Sequence, residues 1–230
     1  MKSQRGNQPV SKPPPPSTAA KRVPRMAAAP LTAKGETKRD QVLDAAAGLL
    51  ARQGYVGTTL AHIASAAGTH AGSLYYYFES REALVAEVMR RGTDRADNYV
   101  RAALNELSPR ATSRRQLEAA VTAHIRYMLE QSDYVVAGVR LIGQAPEAVN
   151  AQVRERNRAY GRLFHELIEK AAADGYIDAT LDLRAVRMLI MGAANWTPEW
   201  YDPTGSSSPS DIASLVIKMI AGLRPRRRTN

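Results

Sequence analysis

Cysteine is absent from the 230 residues, which excludes disulfides, thiolate metal sites and cysteine nucleophiles. Histidine is scarce as well; the four present are scattered, so a zinc site is not expected. Apolar runs stay far short of the roughly 20 residues that a membrane helix needs. The polar, proline-rich start has none of the hydrophobic stretch of a secretory signal. A cytoplasmic protein with no membrane partner is expected. Catalytic signatures are missing too: no G-x-G-x-x-G after a strand, no P-loop, no G-x-S-x-G, no H-E-x-x-H and no carboxylate pair with a supporting context. These absences point away from an enzyme, and no cofactor is expected.

The net charge of +10 is unevenly placed. Residues 1–35 hold seven Lys or Arg and no acid, and residues 224–228 (RPRRR) hold four Arg. That leaves 21 basic against 22 acidic residues in 36–223, so the positive charge belongs to the ends. Such tails bind polyanions without sequence preference and release them in salt; the alternative is that they only aid solubility. Residues 1–35, with KPPPPS and KRVPR, have too few large apolar groups to repay ordering and are expected to form a disordered arm.

From Glu36 the spacing becomes helical throughout, with no period-two alternation long enough for a sheet. Val42, Ala46, Leu49 and Leu50 make one stripe, stopped by Gly54. Thr58 or Thr59 caps a second short helix whose inner side is Leu60, Ile63, Ala64 and Ala67, and Gly68 ends it. A third runs from about Ala71 to Phe78, and Ser80 caps a fourth. Leu117 to Leu129 carries another stripe, Val149 to Ile168 one on a helix opened at Pro146, ADGYID is a turn, and two helices follow near 182–202 and 209–223. The fold class is all-α, divided as arm (1–35), three-helix head (36–82), helical bundle (83–223) and basic tail (224–230).

Aromatic residues make up only 6% of the chain, yet four of the 14 rings are consecutive in GSLYYYF. Ala64, Gly68 and Leu74 space two helices around a tight turn, a helix-turn-helix. At 100° per residue Phe78 lies over Leu74 and faces the core, Tyr77 falls at the boundary, and Tyr75 and Tyr76 face away. Packing alone does not explain these last two, because so short a helix has too little circumference to bury every side. Their hydroxyls suit phosphate oxygens and their ring edges suit thymine methyls.

Residues 37–89, TKRDQVLDAAAGLLARQGYVGTTLAHIASAAGTHAGSLYYYFESREALVAEVM, resemble the DNA-binding region of TetR-family transcriptional repressors. The resemblance implies an all-helical homodimer that binds a double-stranded DNA operator through a small N-terminal head and senses a ligand in a larger domain. By position, it puts Thr59 and Arg81 on phosphates, Ala71, Gly72, Tyr75 and Tyr76 at base edges and Tyr77 on the backbone; Thr58, His70 and Ser73 join the expected DNA face. Thr69-His70 departs from the Val-Ser of many members, removing the usual cap of the recognition helix, and Arg81 replaces a customary Lys. Residues 36–92 hold six basic and six acidic side chains, so the arm is expected to supply phosphate or minor-groove contacts that the neutral head lacks.

GAANWTPEWYDPTGSSSPS, which starts at Gly192, is similar to a segment of the TetR-like repressors of fatty-acid, phenylacetate and steroid-side-chain catabolism that respond to acyl-coenzyme A. An acyl-CoA needs an apolar slot and cations for its phosphates. Met128, Tyr160, Phe164, Met191 and Trp196 are expected to line the slot, with Asn195 and Trp200 from the motif. Arg154, Arg158 and Arg162 recur at i, i+4 and i+8 as a phosphate grip, or else as a solvated face paired with Glu155 and its neighbours. The tryptophan segment has an alternative role as a dimer seam, and Pro198 is expected to kink its helix. His124, on an apolar stripe, reads as a core or pocket-wall residue. Other effectors remain open, an amphipathic drug-like molecule among them, as does a non-specific DNA-coating protein driven by the tails.

Overall fold

A computed structural model of the chain describes residues 33–129 and 132–223. The expected basic arm, apart from its last residues, and the basic tail lie outside them. Among the described residues there are nine helices and no strand: α1 (Ala33–Gly57), α2 (Leu60–Ala66), α3 (Ala71–Tyr77), α4 (Arg81–Asn105), α5 (Ser113–Leu129), α6 (Asp133–Arg140), α7 (Glu147–Ala173), α8 (Leu183–Trp200) and α9 (Pro209–Ala221).

Helix starts and stops follow local chemistry. The backbone of α1 leaves helical geometry at Gly54, with φ at 68°. Glycine suits that positive φ, which L side chains rarely adopt. Thr59 Oγ1 caps α2 by accepting from His62 N, and Ser80 Oγ caps α4 by accepting from Ala83 N. Ser208 and Asp211 form a reciprocal capping box on α9. Lys38 Nζ donates to the Ala67 carbonyl at 2.7 Å, tying α1 to the end of α2.

Two apolar cores result. Val42, Leu43, Ala46 and Leu50 of α1 close over Ile63, Leu74, Phe78, Leu84 and Val88. The second core gathers α5, α7, α8 and α9 around Leu117, Ile125, Phe164, Ile168 and Ile220. Three helices belong to both: α7 gives Val149 and Val153 to the first core and its later residues to the second, and α4 and α6 are likewise shared. α4 buries Leu84, Val85 and Val88 in the first core and Ala96 and Val100 in the second. α6, which the residue spacing did not reveal, packs along α1 and contributes Tyr134, Ala137 and nearby Leu141 to the first core while Val135 and Val139 enter the second.

Pro198 does not end α8, which continues to Trp200. A proline there deprives the Ala194 carbonyl of its backbone donor. The Thr197 hydroxyl supplies one instead, donating to Ala194 O at 2.7 Å.

Candidate nucleic-acid interface and effector cavity

Within α3, Leu74 is buried and Phe78, its C-cap, is buried, whereas Tyr75 and Tyr76 are 61% and 68% exposed. Tyr77 is half-buried, with its ring edge-on to Tyr76 at 5.0 Å between centroids. Ala71, Gly72, Ser73, His70 and Thr59 are exposed on the same end of the molecule. His70 precedes α3 in extended geometry and makes no side-chain cap bond, which leaves its imidazole outward. A Cβ at Gly72 would meet nothing within 4 Å, so packing inside the protein does not require glycine there.

Two of the expected DNA residues are engaged inward. Thr58 is fully buried, and its hydroxyl donates to Gly54 O at 2.8 Å, holding the turn between α1 and α2. The adjacent Thr59 has the exposed side chain, because successive residues in an extended link face opposite ways. Arg81 lays its guanidinium 4.0 Å from the centre of the Tyr55 ring and donates to the Tyr55 carbonyl. It is half-buried and committed to the end of α1.

A cavity of about 380 Å³ opens among α4, α5, α6, α7 and α8, within the range of small-molecule sites. Met128, Tyr160, Met191 and Asn195 line it, as expected; Met89, Tyr134, Val135, Val139, Asn157 and Met188 also do and were not foreseen. Phe164 is a correction: it is 1% exposed in the packed core and edge-on to Tyr160 behind the wall. Trp196 and Trp200 are corrections too, 58% and 53% exposed and outside the cavity lining. Neighbouring residues on a helix point 100° apart, so Asn195 turns inward and Trp196 outward. With Leu189 and Ala193 the tryptophans form an outward apolar stripe on α8, and Leu215 and Met219 of α9 are exposed as well.

A second, basic groove is lined by Arg154, Arg158, Arg162, His165, Arg184 and Arg187. It meets the cavity at Asn157, Gly161 and Arg187, which line both. The Arg187 guanidinium lies across Gly161, with Nη1 2.8 Å from where a Cβ would stand, so a larger residue there would push this flexible side chain aside. Arg154 pairs with Glu147 and Arg162 with Glu155, the latter at 2.9 Å. Arg158, Arg184 and Arg187 pair with no carboxylate among the described residues.

At the cavity's α5 wall, His124 Nδ1 lies 2.9 Å from the Tyr160 hydroxyl and Nε2 lies 3.0 Å from Asn195 Oδ1. Burial pushes the His124 imidazole down to about 4, so it is neutral. Burial, and then the Asp97 charge, raise the Tyr160 phenol, which stays protonated. No cluster of His, Asp or Glu suited to a metal occurs among the described residues. None of their helices is long and apolar enough to cross a membrane.

Comparison with known proteins agrees with this architecture. Residues 42–88 match the model "Bacterial regulatory proteins, tetR family", and residues 110–223 match "Tetracyclin repressor-like, C-terminal domain". The HTH-type transcriptional repressor KstR2 of Rhodococcus jostii is 29% identical over 189 residues, covering 80% of this chain and 89% of its own. The crystal structure of AibR in complex with isovaleryl coenzyme A and operator DNA superposes with a TM-score of 0.70 at 22% identity, covering 79% of this chain and 97% of AibR. The fatty acid degradation regulator FadR from Bacillus halodurans gives 0.69 at 23%, covering 80% and 95%. A helix-turn-helix with outward tyrosines, a cavity in the helical body and family matches to both parts agree: the chain belongs to the TetR family of transcriptional regulators.

Proposed function

We propose that the protein is a homodimeric repressor, acting in the cytoplasm, that leaves its operator when an acyl-CoA binds. The observation that carries this reading is the continuity of an apolar cavity with an arginine-lined groove through Asn157, Gly161 and Arg187. A CoA thioester has that same division, an apolar acyl chain joined to a polyphosphate. Arg158, Arg184 and Arg187, without a carboxylate partner among the described residues, serve the phosphates, and Met128, Met191 and their neighbours receive the chain. The role is binding, without catalysis.

DNA is read by α3. Tyr75 and Tyr76 reach base edges and phosphates, Ala71, Gly72 and Ser73 let the helix approach the groove, and Thr59, His70 and Tyr77 touch the backbone. Thr58 and Arg81 support this surface from within. The outward stripe of Leu189, Trp196 and Trp200 with Leu215 and Met219 is the dimer face, since an apolar patch of this kind is costly in water. The paired heads must reach successive major grooves about 34–36 Å apart. A ligand among α4 to α8 acts by binding better to a conformer with another head spacing.

A mobility-shift titration of the full-length protein on its own upstream DNA tests the reading. Long-chain acyl-CoA should release the DNA, with free CoA and free fatty acid far weaker. Release by none of a panel of acyl-CoAs would overturn it.

A further inference from the structure

The polar chain in the cavity wall has a direction. A neutral imidazole carries one N–H and one bare nitrogen. Asn195 Oδ1 only accepts, so the Nε2 facing it at 3.0 Å holds the proton. Nδ1 is then bare and accepts from the Tyr160 hydroxyl at 2.9 Å. Every proton of the chain is committed, except those of the Asn195 amide nitrogen, whose two N–H groups have no partner among the described residues.

Of the other polar groups of the cavity wall, Arg187 and the Asn157 amide nitrogen stand at the junction with the groove, and the hydroxyls are occupied elsewhere. Tyr134 donates to Asp44, Tyr127 to the Gly92 carbonyl, and Thr93 to Asn157. Around them the wall is methionine and valine. An unadorned hydrocarbon seated here strips water from the Asn195 N–H groups and returns nothing, whereas an acceptor oxygen satisfies them. Arg187, at the junction with the groove, and Asn195 are eight residues apart on α8, about 12 Å along the axis. A thioester near the groove therefore leaves its own carbonyl well short of Asn195.

We infer that Asn195, held by His124 and Tyr160, selects effectors whose acyl group carries a second carbonyl oxygen remote from the thioester. This rests on the acyl-CoA reading above. The test uses the full-length protein and calorimetric titration with decanoyl-CoA and a set of oxodecanoyl-CoA isomers. At least one isomer should bind about tenfold or more tightly than decanoyl-CoA, the worth of one satisfied hydrogen bond in a dry site. Asn195→Asp keeps the oxygen facing His124 and replaces the N–H groups by oxygen. It should erase the preference, read within the variant as the ratio of oxodecanoyl-CoA to decanoyl-CoA affinity, whatever its effect on decanoyl-CoA itself. Equal binding of every isomer and decanoyl-CoA overturns the inference and leaves the acyl-CoA reading standing. Equal weakening of all ligands by Asn195→Asp also overturns it, by making the residue merely structural. Binding of no CoA ester removes both. The wild-type comparison decides by itself should the variant not fold.

Discussion

The Tyr134 hydroxyl donates to Asp44 Oδ1 at 2.8 Å, and the same ring lines the effector cavity. One side chain thus joins the cavity wall to α1 of the helix-turn-helix head. The Arg95 guanidinium lies 4.0 Å over the ring's centre, and burial, then the Asp44 bond, push the phenol up to about 12, so the proton stays on the donor. Tyr134→Phe keeps the wall and cuts the link. We expect operator affinity without effector to change little, while the loss of affinity that a saturating effector causes shrinks about fivefold, a coupling of about 1 kcal/mol. Mobility shifts with and without effector check this.

The two faces of the head should separate stability from recognition. Thr58→Val leaves the Gly54 carbonyl without its buried partner and should cost about 1–2 kcal/mol in urea unfolding. Tyr75→Ala with Tyr76→Ala removes exposed rings, so stability should stay within about 0.5 kcal/mol. Site-selective DNA binding should nevertheless be lost. A double variant that still footprints its operator would exclude α3 as the reading helix.

Charge in the groove gives an independent handle on the effector. Arg158→Ala with Arg184→Ala removes two cations that have no carboxylate partner among the described residues, so little structural cost is expected. Affinity for an acyl-CoA should fall about tenfold or more, while a free fatty acid, which lacks the polyphosphate, should bind as before. Fluorescence titration with both ligands makes the comparison.

His124 sets an acid limit. Its ordinary value of 6.5 is lowered to about 4 by burial, so between those values the unfolded chain binds a proton that the folded chain refuses. Stability must therefore fall as pH drops from about 6.5 to about 4, by up to about 3 kcal/mol from this residue. His124→Gln lacks the penalty. Its stability deficit at pH 7 should narrow by that amount at pH 4, measured by urea unfolding at fixed protein concentration.

The head was legible in the sequence because each signal there is local. Gly54, Ser80 and the turn at Gly68 act within a few residues, and the 100° rule alone turns Tyr75 and Tyr76 outward. The cavity was less legible. DYVVAGVR, which became α6, is too short to show a helical period and is rich in valine, so Tyr134 went unnoticed as a wall residue. Trp196 and Trp200 looked like pocket linings because they flank Asn195 in a shared motif; angular position on α8 carried the true answer. Arg187 reaches the groove across a gap left by Gly161, a relation between two helices that no single stretch displays.

α4 passes unbroken through both apolar cores, with Leu84 and Val88 in one and Ala96 and Val100 in the other. The two modules consequently share an angular phase as well as a connection. One residue inserted between Val88 and Ala96 would twist the reading end by about 100° and advance it about 1.5 Å. Descendants of this chain are free to lengthen their loops, but the count of residues along that axle is frozen unless both interiors are rebuilt together.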